Sequence, residues 1–257
     1  MEHSARRETV ALIVPCYNEA PRLRPHAFLE ALAQYPSLRL VLVDDGSKDD
    51  TPQILSTLAA ESRMRACAFV LPTNCGKAEA VRQGMKMALE SCPESVGYWD
   101  ADLATPFDAL SDFLEVLRLR PDVDIVMGSR VQLLGRRIER SASRHYAGRV
   151  FATGASIVLG LPVYDTQCGA KVFRASARLR RILESPFVSR WIFDVELIAR
   201  YLDDRAGAAT EPAPSSSRIY ELALRTWEDA PGSKVRPRDG VRATLDLLRI
   251  YRERRRS

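Results

Sequence analysis

The stretch Leu38-Arg-Leu-Val-Leu-Val-Asp-Asp-Gly-Ser-Lys-Asp-Asp-Thr-Pro52 decides the fold, because it contains one complete strand-to-helix transition. Leu38 to Val43 is a short, mainly apolar run of leucine and valine, interrupted only by Arg39, which predicts a buried strand. A polar, Gly-containing turn follows. Thr51 is predicted as the N-cap of the next helix and Pro52 as its first helical residue. A short strand that leads through a polar turn into a helix is the repeating unit of an α/β protein.

The same alternation extends over the first hundred residues. Strands are predicted at Thr9–Val14, Leu38–Val43, Ala66–Leu71 and Val96–Trp99, and helices at Pro21–Gln34, Thr51–Ser62 and Lys77–Ser91. This βαβαβαβ order predicts a doubly wound, mainly parallel sheet flanked by helices. In such a sheet, ligands bind at the carboxyl ends of the strands. Each polar motif described below follows one of these strands.

The remaining sequence predicts fewer and less regular elements. Helices are expected at Phe107–Leu119, Ser141–Leu159 and Phe193–Leu202, strands at Asp124–Met127 and Ile219–Thr226, and a flexible loop at Arg205–Ser217. With 257 residues and 46% hydrophobic content, the chain can bury a sizeable core. We expect a tail at 1–8, one catalytic domain at 9–237 and a basic amphipathic helix at 238–257.

Charge and cysteine content restrict the partner and the compartment. The formal charge of +5 favours an anionic partner, such as a phosphate, a nucleic acid or a lipid headgroup. The five cysteines form no C-x-x-C pair, and the first residues lack an apolar leader, so a cytosolic protein with reduced thiols is expected. The longest uncharged run, Val150–Tyr164, is shorter than a membrane-spanning helix and predicts a buried helix with its exit turn, with an interfacial membrane segment as the alternative.

Asp100-Ala101-Asp102 follows the predicted strand Val96–Trp99 and is the main candidate metal site. Side chains alternate along an extended segment, so both carboxylates point to the same side. Two such oxygens can bind Mg²⁺ or Mn²⁺ and leave positions open for water and a substrate diphosphate. By itself, an Asp-x-Asp pattern is more typical of a solvated turn, and the accompanying motifs are what favour the metal site.

Three further polar segments follow the predicted strands. Val14-Pro-Cys-Tyr-Asn-Glu19 and Val43-Asp-Asp-Gly46 bring acids that can accept hydrogen bonds from ribose hydroxyls or a uracil N–H, although the second also fits a plain turn. Asn74-Cys-Gly-Lys77 opens a helix, where backbone N–H groups and the lysine can meet negative charge. This segment is too short for a Walker A loop, which excludes a P-loop ATPase.

Together these segments resemble the inverting family-two glycosyltransferases with the GT-A fold, over residues 9 to 235. Gly128-Ser-Arg130, Asp165-Thr-Gln-Cys-Gly-Ala-Lys171, Arg190-Trp-Ile-Phe-Asp-Val-Glu-Leu197 and Gly232-Ser-Lys234 are similar to the polyprenyl-phosphate hexosyltransferases, above all the dolichyl-phosphate β-glucosyltransferases and their bacterial relatives. The resemblance implies metal-dependent transfer of a hexose, glucose foremost, from a UDP-sugar to a polyprenyl (dolichyl or undecaprenyl) phosphate.

The motifs and the resemblance predict three groups of site residues. Nucleotide-sugar binding is assigned to Pro15, Tyr17, Glu19, Asp44, Asp45, Gly76, Lys77, Asp100, Ala101 and Lys234. Catalysis is assigned to Asp102, Asp165, Arg130, Arg144 and Arg140, and the metal, Mg²⁺ or Mn²⁺, to Asp102 and Asp100. Sugar or acceptor contacts are assigned to Gln167, Trp191, Asp194 and Glu196.

The chemistry of a phosphate acceptor explains why arginines are expected. A phosphate monoester has its second pKa near 6, so at neutral pH it is already an anionic nucleophile and needs no strong base. It does need positive charge for positioning. The resemblance places Arg130 and either Arg144 or Arg140 on this phosphate, while the other arginines of the segment are expected on a solvated face.

Two alternatives remain open at this stage. With a soluble hydroxyl acceptor, Asp165, Asp194 or Glu196 would have to act as a base; Asp165 is equally typical of a structural cap, and Trp191 of core packing. A binding module without turnover also fits the basic charge. Nucleic acid is the poorest fit, because the arginines do not alternate with exposed aromatic residues.

The C-terminal segment and the residues before Gly232 favour particular partners. Val241, Leu245, Leu248 and Tyr251 share one face of a predicted helix that ends in arginines, which is typical of a helix lying on anionic lipid; packing against the domain is the alternative. Any contact with the cytoplasmic face of a membrane is therefore expected to be peripheral. Trp227 and two acids stand where mannosyl-transferring relatives carry an arginine, which favours a UDP-glucose-like donor over GDP-mannose.

Overall fold

The computed structural model describes residues 9–139, 142–204, 214–229 and 237–255. The strands are β1 Val10–Cys16, β2 Leu38–Asp44, β3 Ala66–Val70, β4 Ser95–Trp99, β5 Ile125–Ser129, β6 Arg137–Glu139, β7 Ala170–Arg174, β8 Ile219–Ala223 and β9 Thr226–Glu228. The helices are α1 Pro25–Gln34, α2 Thr51–Glu61, α3 Lys77–Glu90, α4 Leu110–Leu119, α5 Ala142–Leu159, α6 Ala177–Ile182, α7 Phe193–Asp203 and α8 Pro237–Arg254. Short 3₁₀ turns lie at Phe107–Ala109 and Ser215–Arg218.

The main sheet is seven-stranded, with the order β3-β2-β1-β4-β7-β5-β8. Every neighbouring pair is parallel except those of β7, which runs antiparallel to both β4 and β5. Since β1 lies between β2 and β4, the chain winds outward in both directions from the first strand. This arrangement confirms the predicted doubly wound, mainly parallel α/β fold. Strands β6 and β9 form a separate parallel pair.

The core lies on both faces of the sheet because the central strands are apolar on both sides. In β1, Ile13 packs with α3, α5, α7 and α8, whereas Leu12 faces α1, α2 and α4. Both side chains are fully buried. Two helical layers therefore cover the sheet, and the carboxyl ends of its parallel strands remain available for a ligand.

Several predicted elements differ from the structure. The first helix begins at Pro25 rather than Pro21, and the predicted strand Ile219–Thr226 is divided between β8 and β9, which belong to different sheets. Strand β7 lies where only a turn was expected, since the buried lysine Lys171 interrupts its apolar pattern. Strand β6 and helix α6 were not predicted either.

The predicted N-cap role of Thr51 is wrong. Asp50 occupies the cap position, and Thr51 is the first helical residue. The Thr51 hydroxyl oxygen instead accepts hydrogen bonds from the backbone N–H groups of Glu19 (2.8 Å) and Ala20 (3.0 Å). This threonine therefore ties the loop after β1 to the start of α2. Pro52, predicted as the first helical residue, is the second and still lies in the first turn.

The C-terminal helix packs on the domain through a different face from the predicted apolar one, whose two leucines lie on the exposed side. Its buried residues are Ala243, Leu247 and Ile250, which join the core beside α5 and α7. Leu245 and Leu248, expected on the binding face together with Tyr251, are about half exposed on the opposite side. In the parts of the chain that the structure describes, no helix is long and apolar enough to cross a bilayer.

Candidate active site

A cavity of about 1030 Å³ opens at the carboxyl ends of β1, β2 and β4 and extends to α5 and α8. It brings together predicted residues from distant parts of the sequence. Those lining it are Pro15, Tyr17, Glu19, Asp45, Gly76, Lys77, Asp100, Ala101, Asp102, Arg130, Asp165, Gln167, Trp191 and Asp194. Asp44 and Glu196 are not among its lining residues.

The Asp100–Asp102 segment forms a tight turn directly after β4. The backbone N–H of Asp100 donates to the carbonyl of Gly169 (2.9 Å), and that of Leu103 donates to the carbonyl of Asp100 (3.1 Å). The Asp102 carboxylate accepts a bond from the N–H of Ala104 (3.1 Å). A Cβ atom on Gly169 would lie 1.9 Å from Oδ2 of Asp100, so only glycine leaves room for this carboxylate. Gly169 is therefore a site residue that sequence reasoning left unassigned, although it stands inside a quoted motif.

Two cations lie beside these carboxylates. Lys77 Nζ is 2.5 Å from Asp100 Oδ1, and Arg22 Nη1 is 3.8 Å from Asp102 Oδ2. Burial and the neighbouring charge of Asp100 both raise the pKa of Asp102 above its ordinary value. Burial would lower the pKa of Lys77, but the carboxylates of Asp100 and Asp194 raise it, and the net direction is upward. Charges of both signs therefore lie close together in the site. Arg22 was not among the predicted site residues.

The carboxylates of Asp100 and Asp102 fit a divalent ion whose other coordination positions are filled by water and a bound ligand. In the described residues there is no cluster of three or more His, Cys, Asp or Glu side chains able to hold a metal unaided. Asp100 and Asp102 provide hard oxygen donors at the wall of an open cavity, and Mg²⁺ or Mn²⁺ in such a place takes its other ligands from water and phosphate. These two residues are the ones that would hold the metal.

Asp45 fixes the loop after β3 by binding three consecutive residues of that loop. Its carboxylate accepts hydrogen bonds from the N–H groups of Cys75 (2.7 Å) and Gly76 (2.8 Å) and from the Asn74 amide (3.0 Å). Burial raises the pKa of Asp45 and outweighs the lowering effect of these bonds. Gly76 has a φ of 95°, which favours glycine.

Arg190 also binds this loop through hydrogen bonds, a contact that the sequence did not reveal. Its Nε donates to the Cys75 carbonyl (2.8 Å), and its Nη2 donates to both the carbonyl and the side-chain oxygen of Asn74 (2.9 Å each). The residue lies next to Trp191, which is 43% exposed at the cavity wall. The packing alternative for Trp191 is therefore not supported.

Glu19 and Asp44 have mainly structural contacts. The Glu19 carboxylate pairs with Arg22 through two hydrogen bonds, one of them 2.7 Å long. Asp44 is buried and accepts a bond from the N–H of Ser47 (3.0 Å), which closes the turn after β2. Glu19 lines the cavity wall, whereas Asp44 supports the turn beneath it.

Arg130 and Asp165 form a buried ion pair at the far side of the cavity. Arg130 Nε and Nη2 donate to the two carboxylate oxygens at 2.6 and 2.8 Å, and the Arg130 backbone N–H donates to Asp165 Oδ2 at 3.1 Å. The guanidinium lies 5.3 Å from the ring centre of Trp227. Burial would raise the pKa of Asp165, but the charge and hydrogen bonds of Arg130 lower it more, so its pKa is below the ordinary value.

Asp194 belongs to a second buried charge pair. It accepts hydrogen bonds from Lys171 Nζ (2.6 Å) and from the Tyr98 hydroxyl, and Lys171 also donates to the Cys168 carbonyl (2.7 Å). Burial, and then the negative charge of Asp194, raise the pKa of Tyr98 well above its ordinary value. This pair lies close to the Asp100–Asp102 turn, since Tyr98 precedes Asp100 by two residues.

Glu196 lies away from the cavity and has a structural role. Its carboxylate accepts bonds from the N–H groups of Val188 and Ser189 and from Arg200, the last at 2.6 Å. It therefore shapes the segment before α7. The predicted direct contact with sugar or acceptor has no support in its position.

The structure describes only one of the three remaining predicted cations, Arg140, Arg144 and Lys234. Arg140 and Lys234 lie outside the described residues, and Arg144 lies on α5, one turn before Gly148 at the cavity wall. The structure adds Arg149 of α5 to that wall, where its guanidinium stacks 3.9 Å from the centre of the Tyr164 ring.

The model of the family described as "Glycosyl transferase family 2" matches residues 11–180, which is more than half of the chain. The chain belongs to glycosyl transferase family 2. It is therefore a glycosyltransferase, and the interpretation as a binding module without turnover is set aside.

Individual relatives and structures agree with this assignment. A dolichyl-phosphate beta-glucosyltransferase from Drosophila melanogaster is 34% identical over 246 residues, covering 89% of this chain and 69% of the relative. The Homo sapiens protein of the same name is 31% identical, with 89% and 70% covered. Glucosyl-3-phosphoglycerate synthase from Mycobacterium tuberculosis, solved with Mn²⁺, UDP and glucosyl-3-phosphoglycerate, superimposes with a TM-score of 0.63 at 17% identity over 96% of this chain and 80% of that one. At that identity the likeness shows the fold alone, which is the predicted GT-A fold.

Proposed function

We propose that this family-two glycosyltransferase transfers glucose from UDP-glucose to a polyprenyl phosphate, with inversion, to give a β-linked polyprenyl phosphate sugar. The relatives named dolichyl-phosphate beta-glucosyltransferase support this choice of donor sugar and acceptor. The cavity is large enough for a nucleotide sugar and the head of a lipid phosphate together.

The observation that carries the proposal is the pairing of every acid predicted as a base. Asp165 is bound by Arg130, Asp194 by Lys171, and Glu196 by Arg200. A carboxylate held by a cation is a poor proton acceptor, because protonation would break the pair. A hydroxyl acceptor requires a base, whereas a phosphate acceptor does not, so the arrangement favours the phosphate and disfavours the soluble hydroxyl compound.

The cations of the cavity are placed for two anionic groups. Lys77 and Arg22, beside Asp100 and Asp102, lie on the side proposed for the donor diphosphate. Arg130 and Arg149 lie on the opposite side, toward α5. The ion pair with Asp165 fixes the plane of the Arg130 guanidinium and leaves its Nη1 hydrogens outside the pair. Such a fixed fork suits the acceptor phosphate.

The reaction then needs orientation more than proton transfer. An oxygen of the acceptor phosphate attacks the anomeric carbon of glucose while the bond from that carbon to the UDP oxygen breaks, and UDP departs with the electron pair. When bound at Asp100 and Asp102, Mg²⁺ or Mn²⁺ supplies positive charge that stabilises the leaving diphosphate. Trp191 and the Asp194 side of the cavity are proposed to contact the sugar.

A transfer assay tests the proposal. Purified protein is incubated with Mn²⁺, a panel of UDP- and GDP-sugars and a short polyprenyl phosphate, and products are identified by mass spectrometry. We expect one hexose to be added from UDP-glucose, and no transfer after chelation of the metal. The variant Asp102→Asn should lose transfer, whereas Asp122→Asn, in an exposed ion pair with Arg120, should retain it. Transfer to a soluble alcohol but to no lipid phosphate would refute the acceptor assignment.

A further inference from the structure

Helix α5 presents an apolar stripe to the solvent. Tyr146, Val150 and Ile157 are 71%, 76% and 70% exposed. Spacings of four and seven residues place the three on one helical face. Thr153, on the same face, is exposed and uncharged, and its hydroxyl is bonded to the Arg149 carbonyl (3.0 Å). The stripe therefore carries no charge over three turns.

Helix α8 lies beside this stripe and runs in the same direction. A Cβ atom on Gly154 would be 3.3 Å from Leu247, and Arg254 Nη1 donates to the Val158 carbonyl (2.5 Å). Later residues of α8 thus meet later residues of α5. Since Ala243, Leu247 and Ile250 already fill the buried face, Leu245 and Leu248 form a second apolar row that points outward.

The outward side of α8 is also basic. Arg242, Arg249, Arg252 and Arg255 are all exposed on the helix that carries the two outward leucines. Asp246, which could offset this charge, is bound by the Ser189 hydroxyl (2.7 Å) and by Arg249 (3.1 Å). Apolar side chains interleaved with arginines match a surface that offers both hydrocarbon and negative charge.

This surface adjoins the mouth of the active-site cavity. Leu245 and Arg249 belong to the cavity wall as well as to the outward side of α8, and Gly148 and Arg149 of α5 line the same wall. A partner lying on the two helices would therefore lie at the opening toward Arg130. Isolated exposed apolar residues need no explanation, but rows on two adjacent helices at the entrance of a site do.

We propose that the outward faces of α5 and α8 form a docking surface for an anionic membrane, so that a lipid phosphate enters the cavity directly from the bilayer. The proposal rests on the proposed lipid acceptor and extends it to a specific surface. It assigns the lipid contact to two helices that are packed on the domain. Arg254 is bonded to Asp203 and to Val158, so α8 cannot leave the domain without loss of core contacts.

Vesicle flotation of the full chain tests the surface. The variant Val150→Glu/Ile157→Glu changes only exposed residues that do not line the cavity. We expect it to lower partition onto phosphatidylcholine–phosphatidylglycerol vesicles by at least about tenfold. Wild-type binding should weaken when phosphatidylglycerol is omitted. The matched control Met64→Glu/Leu119→Glu changes two exposed apolar residues elsewhere and should bind like wild type. Equal loss in the control, or none in the α5 variant, would overturn the proposal.

Activity measurements separate this proposal from the function itself. The α5 variant should glucosylate a short, water-soluble prenyl phosphate at the wild-type rate but be at least about tenfold slower on long-chain acceptor embedded in vesicles. If no prenyl phosphate is a substrate while flotation still depends on the α5 stripe, the proposed function fails and the surface stands. A wild-type dimer that the α5 variant converts to monomer, without vesicle binding by either, would identify a protein interface and overturn membrane docking.

Discussion

Arg130 and Asp165 form a buried ion pair in which two guanidinium nitrogens bind the two carboxylate oxygens at 2.6 and 2.8 Å. The residues come from separate motifs, at the end of β5 and before β7, and their side chains are only 14% and 8% exposed. The pair joins two segments of the cavity wall. It also fixes the guanidinium on the side proposed for the acceptor phosphate, so its integrity affects both stability and transfer.

Asp165→Asn should lower the free energy of unfolding by about 3 to 5 kcal/mol, because it leaves the buried charge of Arg130 without its partner. Denaturant unfolding of the two proteins measures the difference. Asp122→Asn removes the acid of an exposed pair with Arg120 and should leave stability nearly unchanged, because solvent screens such a pair. Equal effects of the two substitutions would show that the Arg130–Asp165 pair is solvated and weak.

The pH dependence of stability follows from the lowered pKa of Asp165. Although burial raises it, the Arg130 charge brings the pKa of the folded state below the unfolded value of about 3.9. A depressed carboxylate pKa stabilises the fold above the unfolded value, and this contribution is lost as pH falls through the folded value. The stability difference between wild type and Asp165→Asn should thus be full at pH 6 to 7 and shrink below about pH 4. A difference that grows in acid would contradict this assignment.

Gly169→Ala should weaken metal binding more than it weakens the fold. The added Cβ would lie 1.9 Å from Oδ2 of Asp100, so the carboxylate must move from its place beside the turn. We expect a loss of Mn²⁺ affinity in the presence of UDP on the order of 10- to 100-fold, as for other changes that misplace a ligand. Calorimetric titration measures it.

Gly154→Ala is the control for this substitution. Its Cβ would lie 3.3 Å from a side-chain carbon of Leu247, which does not belong to the Asp100–Asp102 turn. Mn²⁺ affinity should stay at the wild-type value. If Gly169→Ala also binds Mn²⁺ normally, Asp100 is not fixed by the glycine contact.

The parts of the fold that could be predicted are those in which one local pattern sufficed. Strands β1, β2 and β4 are apolar on both faces and end in polar turns, so both the sheet and the position of Asp100 and Asp102 follow from the sequence. Strand β7 was missed because Lys171 lies in its centre. The charge of this lysine is paired with Asp194, 23 residues later, which no local pattern reveals.

Contacts between distant segments explain most of the other differences. Helix α8 carries two apolar rows, and only packing against α5 and α7 decides that Ala243, Leu247 and Ile250 are buried while Leu245 and Leu248 stay exposed. Glu196 was predicted to contact substrate because acids near a site are ambiguous in sequence. Its bonds to Val188 and Ser189 show that it orders a loop instead.

Arg190→Ala should raise the KM for the UDP-sugar, since it frees the loop that bears Gly76 and Lys77. Arg190 binds this loop through three hydrogen bonds to Asn74 and Cys75, while Asp45 binds it from the other side. We expect KM to rise about tenfold, the equivalent of one charged hydrogen bond, with a smaller change in kcat. Arg190→Lys should not restore the KM, because one ammonium group cannot reproduce the planar fork.

Arg181→Ala, which removes an ion pair with Asp204, is the control and should leave KM unchanged. Calorimetric titration with UDP measures the same effect independently of turnover. Normal UDP affinity in Arg190→Ala would show that the loop keeps its conformation without the hydrogen bonds of Arg190.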